Sequence, residues 1–252
     1  GLVMSNACVI IIGNEVLSGR TKDANLAFLG ERLNEIGVRL KEARVIADDT
    51  QVIIDTVNDC RARFDYVFTT GGIGPTHDDI TSAAIAKAFG LPLIRDPDAL
   101  ALLQQHYDNP EDLNEQRLKM CEMPEGAILI DNPISRAPGY QIGNVFVLAG
   151  VPVVMRAMFE SLKHRLDGGL PMLSKTVIAY IGEGILAGGL GEVQEAHASV
   201  EIGSYPFFRD GKLGAALVLR GTDEAALGVA AEAVRQMVRG LGVEPFEEDP
   251  SA

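Results

Sequence analysis

The sequence has 252 residues, which is enough for one large domain or two small ones. A formal net charge of −13 argues against nonspecific binding to nucleic acid or to an anionic membrane surface, although a small phosphorylated ligand responds only to local charge. The three cysteines are widely spaced and no apolar run reaches membrane-spanning length, so we expect reduced thiols in a cytoplasmic protein.

The first part of the chain alternates apolar strands with amphipathic helices. Residues 7–12 form a continuous β-rich run, and a helix with a leucine face follows it and stops at Gly37. Further strands are predicted over 38–47 and 64–68, each followed by apolar residues at helical spacing. This order predicts an α/β fold with a doubly wound, mostly parallel sheet.

A glycine turn follows the third strand, with the sequence TTGGIGPTHDDIT over 69–81. Glycines let a backbone approach a ligand closely, and the free N–H groups of such a turn favour an anion, most often a phosphate. Asp78 and Asp79 would repel a phosphate unless a cation bridged them, so the turn also indicates Mg²⁺ or a similar metal. The alternative is that one of these acids only caps the helix that begins near Ile80.

Acidic side chains follow all three predicted strands. Glu15 lies in the polar loop after the first strand, Asp49 follows the second, and Asp78 and Asp79 follow the third. Ligands of doubly wound sheets bind outside the carboxyl ends of the strands, so we expect these four acids to meet at one edge. For Asp49, a helix cap explains the residue equally well.

The middle of the chain predicts smaller elements. They are a strand over 91–95, a helix opening at Asp96-Pro97, a polar helix over 111–121, a strand over 127–130, and a hairpin turning at Gly143-Asn144. Lys119 in the polar helix could reach an anion, but a solvated side chain is the commoner case for a helix lysine. A further helix begins at Pro152, and the methionines spaced along it indicate core packing.

Residues 167–171 are the best candidate for a linker between two domains, which we place at 5–168 and 171–245. Beyond the linker, strands and helices alternate as βαββα, which predicts a small α+β domain. The predicted elements are strands over 176–181, 200–208 and 213–219 and helices over 190–198 and 224–241. The acidic segment 244–252 is expected to be frayed.

Several motifs together resemble those of the molybdopterin-binding-like (MoaB/MogA-type) domain family. They are Gly13 to Gly19, Asp23 to Asn25, Thr70 to Thr81, Ala137 to Gly139 and Gly150 to Pro152. The likeness extends over about 7–166 and is closest to the N-terminal half of competence/damage-inducible CinA proteins. The segment 202–206 resembles the KH-like middle domain of CinA and the related region of eukaryotic FAD synthases.

The resemblance implies a phosphate or pyrophosphate at the glycine turn, but the implied chemistry is divided. CinA-type N-terminal domains are associated with metal-dependent hydrolysis of ADP-ribose, and the FAD-synthase relative with hydrolysis of FAD. MogA and MoaB bind molybdopterin and adenylylate it, in molybdenum cofactor biosynthesis. Asn14 stands where the family usually has Asp, which weakens one metal ligand and keeps a non-catalytic, nucleotide-binding protein as an alternative.

We therefore expect an enzyme, a metal-dependent nucleotide pyrophosphatase acting on ADP-ribose or a related dinucleotide, with molybdopterin binding or adenylylation as the alternative. Glu15, Asp78 and Asp79 would hold Mg²⁺ or Co²⁺, and one of them or Asp49 would orient the attacking water. A monovalent cation is a further candidate. The residues expected to contact the ligand are Ser18, Asn25, Thr70, Gly71, Gly72, Gly74, Thr76, Thr81, Pro138 and Gly139.

The expected partners are a small nucleotide or pterin and further copies of this chain. Relatives of this domain assemble as dimers or trimers, and we expect a dimer. The KH-like unit has no glycine loop between basic residues of the kind that clamps a nucleic-acid backbone, so no RNA binding is expected. No membrane partner is expected.

Overall fold

Residues 5–247 are described by a computed structural model, and the chain divides into two units at Gly169/Leu170. The boundary lies inside the glycine-rich segment 167–171. No helix within the described residues combines the length and the apolar character needed to cross a bilayer.

The first unit carries most of the secondary structure. In chain order its elements are β1 (Ser5–Ile12), α1 (Asn14–Leu17), α2 (Asn25–Glu35), β2 (Val38–Ile46), α3 (Thr50–Arg63), β3 (Tyr66–Thr70), α4 (Thr81–Phe89), β4 (Leu93–Arg95), α5 (Pro97–His106), α6 (Glu115–Leu118), β5 (Glu122–Pro124), β6 (Ile128–Ile130), β7 (Gly139–Ile142), β8 (Val145–Leu148) and α7 (Pro152–Leu162). Single 3-10 turns cover Pro110–Asp112, Lys119–Cys121 and Lys163–Arg165.

A six-stranded sheet forms the centre of this unit, with the spatial order β2-β1-β3-β8-β7-β6. The first four strands are parallel, whereas β7 runs antiparallel to both β8 and β6. The predicted mostly parallel α/β sheet is therefore confirmed. Its central strands β1 and β3 end next to each other, which brings the loops that follow them to one edge.

The core lies on both faces of this sheet, because alternate residues of β1 point to opposite sides. Cys8, Ile10 and Ile12 pack with residues of α3 and α4 on one face. Ala7, Val9 and Ile11 pack with residues of α2 and α7 on the other. Every residue from 7 to 12 is buried, as a continuous apolar run predicts for a strand covered on both sides. Met155 and Met158 of α7 are buried in the core, which confirms their predicted role.

The polar helix predicted over 111–121 is wrong. The segment breaks into a 3-10 turn, the one-turn helix α6, a second 3-10 turn and then β5, which pairs with β4. Asn109 and Asn114 explain the interruptions, because their side chains accept hydrogen bonds from the N–H groups of Glu111 and Arg117. Each asparagine thus starts a new short helical segment instead of continuing one.

The second unit contains β9 (Leu173–Ala179), α8 (Glu183–Ala196), β10 (Glu201–Arg209), β11 (Lys212–Gly221) and α9 (Glu224–Gly240). Its three strands form an antiparallel sheet in the order β10-β11-β9, as expected for a small α+β unit. Helix α8 begins earlier than predicted, at Glu183. Its glycines disfavour a helix on propensity alone, but burial of Leu186 anchors the first turns.

The expectation of a frayed tail is wrong for residues 244–247. Phe246 exchanges two backbone hydrogen bonds with Ile178, and its ring stacks on Tyr180 with the centroids 5.6 Å apart. The remaining residues of the predicted tail, 248–252, lie outside the described residues.

Candidate functional site

The glycine turn leaves the end of β3 and folds closely over the end of β1. Gly71 and Gly72 have φ angles of +100° and +77°, a region that favours glycine. A Cβ atom on Gly71 would lie 2.3 Å from the carbonyl oxygen of Ile12, and one on Gly72 would lie 1.9 Å from Thr81 Oγ1. Only glycine fits at both positions, so the shape of the turn follows directly from the sequence.

Thr81 holds the turn in this shape. Its hydroxyl donates to the carbonyl oxygen of Gly71 at 2.9 Å, and its backbone N–H donates to that of Gly72 at 3.1 Å. The N–H of Gly71 donates to the carbonyl oxygen of Leu148 in β8, at 3.1 Å. Within residues 5–247, the N–H groups of Gly72, Ile73 and Gly74 donate no hydrogen bond to the protein. They remain as donors for an anion.

A cleft of about 570 Å³ opens beside this turn. The polar loop after α1, the glycine turn, the loop 132–137 and the start of α7 form its walls. The predicted site residues that line it are Glu15, Asn25, Thr70, Gly71, Gly72, Gly74 and Asp79. The structure thus brings together residues from loops that are far apart in the chain.

Asn25 carries a buried hydrogen-bond acceptor without a partner. The residue is only 3% exposed, and its Nδ2 donates to the carbonyl oxygen of Gly150 at 2.9 Å, whereas no group within the described residues donates to its Oδ1. Leaving such an acceptor unsatisfied costs on the order of 1–3 kcal/mol. Because Asn25 lines the cleft, a ligand with a hydroxyl or amino group would satisfy it.

Carboxylates from three loops line a second cavity, of about 520 Å³, which we call the acidic groove. Glu15, Gly72 and Asp79 line both the acidic groove and the cleft. The other polar residues along it are Asn14, Ser18, Arg20, Asp48, Thr76 and Asp78. The three acids expected to hold the metal, Glu15, Asp78 and Asp79, therefore lie along one groove, together with Asp48.

These acids are not gathered into a compact set of ligands. Among the residues described, a single group of three metal-binding side chains has its ligand atoms within 4.8 Å of one another, and it is Cys8, Glu42 and Cys60. The donors along the acidic groove are nevertheless carboxylate oxygens, which are the ligands that Mg²⁺ and similar hard cations prefer.

Neither Asp78 nor Asp79 caps α4, so the predicted cap is wrong. The residue before the helix is Ile80, which makes no side-chain cap, and the N–H of Thr81 already donates to Gly72. Asp79 Oδ2 instead accepts from the N–H and the hydroxyl of Thr76, both at 2.9 Å. Asp78 faces His77 at 3.0 Å, and both side chains are largely exposed. At the start of α4 the carbonyl oxygen of Gly72 accepts the hydrogen bond from the helix N–H that a capping carboxylate accepts at other helices.

Asp49 is the cap of α3, since its side chain accepts from the N–H of Val52 at 3.0 Å. It lines neither the cleft nor the acidic groove. The cap that the sequence offered as the alternative for Asp49 is therefore confirmed, while its catalytic role stays a prediction. Asp48 lines the groove instead, and its carboxylate accepts from the N–H of Asn14 at 3.0 Å while Asn14 Oδ1 accepts from the N–H of Asp48 at 3.1 Å.

The remaining residues expected to contact the ligand fall into two groups. Ser18 and Thr76 line the acidic groove. Thr81 is fully buried with its hydroxyl bound to Gly71, while Gly139 is buried at the start of β7 and Pro138 lines only a small pocket behind the turn. These last three shape the site from outside the cleft.

Comparisons with known proteins agree with this architecture. Residues 8–168 match the family model described as a probable molybdopterin binding domain. The chain belongs to this family. The resemblance carried by the sequence motifs is confirmed, and with it the fold of the molybdopterin-binding-type unit.

Further likenesses extend over both units. Residues 171–247 match the family model described as the middle domain of FAD synthase. A protein of Pyrobaculum arsenaticum is 33% identical and a protein of Aeropyrum pernix 34% identical, in both cases over 96% of this chain and 97% of the relative. The crystal structure of CinA from Thermoplasma acidophilum, a protein of unknown function, is 38% identical with a TM-score of 0.60, and the match covers 64% of this chain and 98% of that one.

Two polar residues of the molybdopterin-binding-type unit make contacts that were not predicted from the sequence. Lys119 donates to the carbonyl oxygen of Thr76 at 2.5 Å and so contacts the glycine turn, contrary to the expected solvated side chain. Asn132 is fully buried and organises the loop 132–137, donating to Ser135 Oγ and to the carbonyl of Ala137 while accepting from the N–H of Ile134. The Asn132-Pro133 pair is a turn signal that can be recognised in the sequence. No local sequence signal predicts the long-range contact of Lys119 with Thr76.

Proposed function

We propose that this protein binds the diphosphate of a nucleotide at the glycine turn and hydrolyses it with the help of a divalent metal. The observation that carries the proposal is the set of three unused N–H groups, of Gly72, Ile73 and Gly74, beside a groove lined by carboxylates. Unused N–H groups favour an anion, and carboxylates at the same place favour a cation that bridges to it.

The cleft supplies the remaining contacts for such a ligand. Asn25 Oδ1 would accept a hydrogen bond from a ribose hydroxyl or a base amino group, which relieves its present lack of a partner. Lys119, which contacts the carbonyl of Thr76, and Arg20, which lines the acidic groove, add positive charge that would favour phosphate oxygens. The net charge of −13 does not oppose this, because screening limits its effect to about one Debye length, roughly 10 Å.

Glu15 and Asp79 are the residues that would hold the metal, since both line the cleft and the acidic groove. A bound divalent cation would neutralise the charge of the diphosphate and lower the pKa of a coordinated water. Asp48 lines the acidic groove and accepts from the N–H of Asn14 through Oδ2, and its other carboxylate oxygen would orient a water. Thr76 holds Asp79 in position through two hydrogen bonds.

The second unit supports a dinucleotide as the substrate class. It matches the middle domain of FAD synthase, and FAD, like ADP-ribose, contains an adenosine diphosphate. The match of the first unit to a probable molybdopterin binding domain favours a second candidate, in which the same turn binds the phosphate of a pterin. A homodimer is part of the proposal for either ligand.

Product analysis separates the two candidates. The purified protein is incubated with ADP-ribose, with FAD, or with ATP and molybdopterin, each with Mg²⁺ or Co²⁺, and the nucleotide products are separated by chromatography. We expect metal-dependent release of AMP from ADP-ribose or FAD. Adenylylated pterin in the third mixture, without hydrolysis in the first two, would favour the second candidate. Ligand binding without turnover in any mixture would favour a non-catalytic protein.

Three variants test the assignment within the site. Asp79→Asn and Glu15→Gln should each reduce turnover at least about tenfold, because each removes a charged ligand of the metal. Glu31→Gln is the matched control, since Glu31 is exposed on α2 and lines neither cavity. Equal turnover in all three variants would contradict a metal held by these carboxylates.

A further inference from the structure

A second group of metal-binding side chains lies on the α3 face of the sheet. Cys8 comes from β1, Cys60 from α3 and Glu42 from β2, and their ligand atoms lie within 4.8 Å of one another. The two sulfur atoms are 3.4 Å apart and both cysteines are fully buried, whereas Glu42 is half-buried. We call these three residues the thiol site. None of them lines the cleft or the acidic groove.

An irregularity in strand pairing places Glu42 at the thiol site. Between β1 and β2, Ala7 pairs with Leu40 but the next residue, Cys8, pairs with Glu42, so Lys41 is left out of the register. With regular pairing, Lys41 would lie opposite Cys8. Neighbouring residues in paired strands point to the same face, so the bulge exchanges a lysine for a carboxylate beside the thiol.

The spacing of the sulfurs suits two ligands of one metal ion. Zinc–sulfur bonds are about 2.3 Å long, which places two sulfurs of a tetrahedral centre about 3.8 Å apart. A disulfide needs a separation of about 2.05 Å. The observed 3.4 Å is much closer to the first value, and both cysteines are free thiols.

The surrounding charges compensate such an ion. Arg44 contacts Glu42 Oε2 at 3.0 Å and also pairs with Asp59, and Arg63 contacts Asp59 at 3.2 Å. Within the described residues, the arginine contacts of Glu42 all go to Oε2, so Oε1 remains as a ligand atom. Two thiolates, Glu42 and Asp59 carry four negative charges, which a divalent ion and the two arginines balance.

We propose that Cys8, Cys60 and Glu42 form a binding site for a thiophilic divalent metal ion of the zinc type, separate from the nucleotide site. Two cysteines with a carboxylate are a ligand set that zinc uses, with the fourth position left to a water. Glu42 is the one half-buried member of the thiol site, so we expect the ion to reach the buried sulfurs from its side.

The test is a Cd²⁺ titration of the full chain after removal of metal and reduction of the thiols. We expect one equivalent of Cd²⁺ at the thiol site to produce the ultraviolet sulfur-to-cadmium charge-transfer band, and Zn²⁺ to compete for the same site. Cys8→Ser and Cys60→Ser should lose at least half of the band. Glu42→Gln should keep the band and weaken binding at least about tenfold, because a charged ligand is removed.

Cys121→Ser is the matched control, because Cys121 is also a fully buried thiol but has no second cysteine beside it. This variant should give the same charge-transfer band as the unaltered protein, and so should Asp79→Asn, because Asp79 does not belong to the thiol site. Absence of the band in the unaltered protein would overturn the proposal, even if a serine variant failed to fold. A band of undiminished intensity in Cys60→Ser, or loss of the band in Cys121→Ser, would overturn it as well.

Discussion

At the scale of single residues, Thr81 has the largest structural role in the glycine turn. It is fully buried, and it binds two successive carbonyl groups, those of Gly71 and Gly72, through its hydroxyl and its N–H. These two hydrogen bonds fix the turn in the shape in which the N–H groups of Gly72, Ile73 and Gly74 donate to no acceptor within residues 5–247. A side chain that contacts no ligand can in this way determine whether a ligand binds.

Thr81→Val tests this role. Valine has nearly the same shape but no hydroxyl, so the buried carbonyl of Gly71 loses its partner, at a cost of about 1–3 kcal/mol. Thr81→Ser keeps the hydroxyl and should retain most of the stability. Urea unfolding measures both, and similar stability losses for valine and serine would show that the methyl group matters rather than the hydrogen bond.

Asp78 and Asp79 should differ in their effects although they are adjacent. Asp79→Ala removes the acceptor of two hydrogen bonds from Thr76 and should lower both the melting temperature and the turnover. Asp78→Ala should leave the melting temperature unchanged, because Asp78 is exposed and contacts only His77. Melting curves and product release are measured on both variants. A larger loss of stability from Asp78→Ala would contradict the assignment.

At the scale of elements, the sequence predicts an element well when the determining contacts are local. The cap of α5 by Asp96, the start of α7 at Pro152 and the buried run of β1 are all visible in the sequence because neighbouring residues decide them. The cap of α4 was predicted wrongly because it comes from Gly72, nine positions before Thr81. The contact of Lys119 with Thr76 joins residues 43 positions apart, and no pattern in the sequence predicts it.

Asp49→Ala should destabilise α3 without changing catalysis. The side chain caps the helix, and loss of such a cap costs about 0.5–2 kcal/mol. Asp48→Asn, one residue earlier, should show the opposite result, with little change in stability and lower turnover. Chemical unfolding and initial rates distinguish the two variants. An Asp49→Ala variant that is inactive but fully stable would support the catalytic role predicted for Asp49.

The link between α2 and α7 should depend on pH. Glu160 of α7 accepts a hydrogen bond from Lys163 at 2.5 Å and pairs with Arg32 of α2 at 2.8 Å, and both contacts hold its pKa below the usual value. A lowered pKa means that the carboxylate contributes stability above the pKa of the unfolded chain and loses it as pH falls. The stability difference between the unaltered protein and Glu160→Gln should therefore be present at neutral pH and vanish in acid, as measured by urea unfolding.

At the scale of the whole molecule, all residues of the cleft and the acidic groove belong to the first unit. The CinA structure of Thermoplasma acidophilum corresponds in length to this unit alone. Among the described residues, both cavities are therefore lined by the first unit alone.

Residues 1–169 produced alone should fold and bind ADP-ribose with the affinity of the full chain. Isothermal titration in the presence of Mg²⁺ measures the affinity, and Asn25→Ala in the same truncated chain provides the control that lacks the cleft acceptor. A loss of binding on truncation, with the fold retained, would show that residues 170–247 take part in the site.

The position of β8 in the sheet has a consequence for how the protein is made on the ribosome. Strand β3 pairs with β8, and the N–H of Gly71 donates to the carbonyl oxygen of Leu148. Leu148 is synthesised about 75 residues later than β3. At about 5–20 residues per second, the edge of β3 stays open for roughly 4–15 s on the growing chain. During this interval the apolar strand edge is exposed to other nascent chains, so slow translation or a pause before residue 145 should increase aggregation.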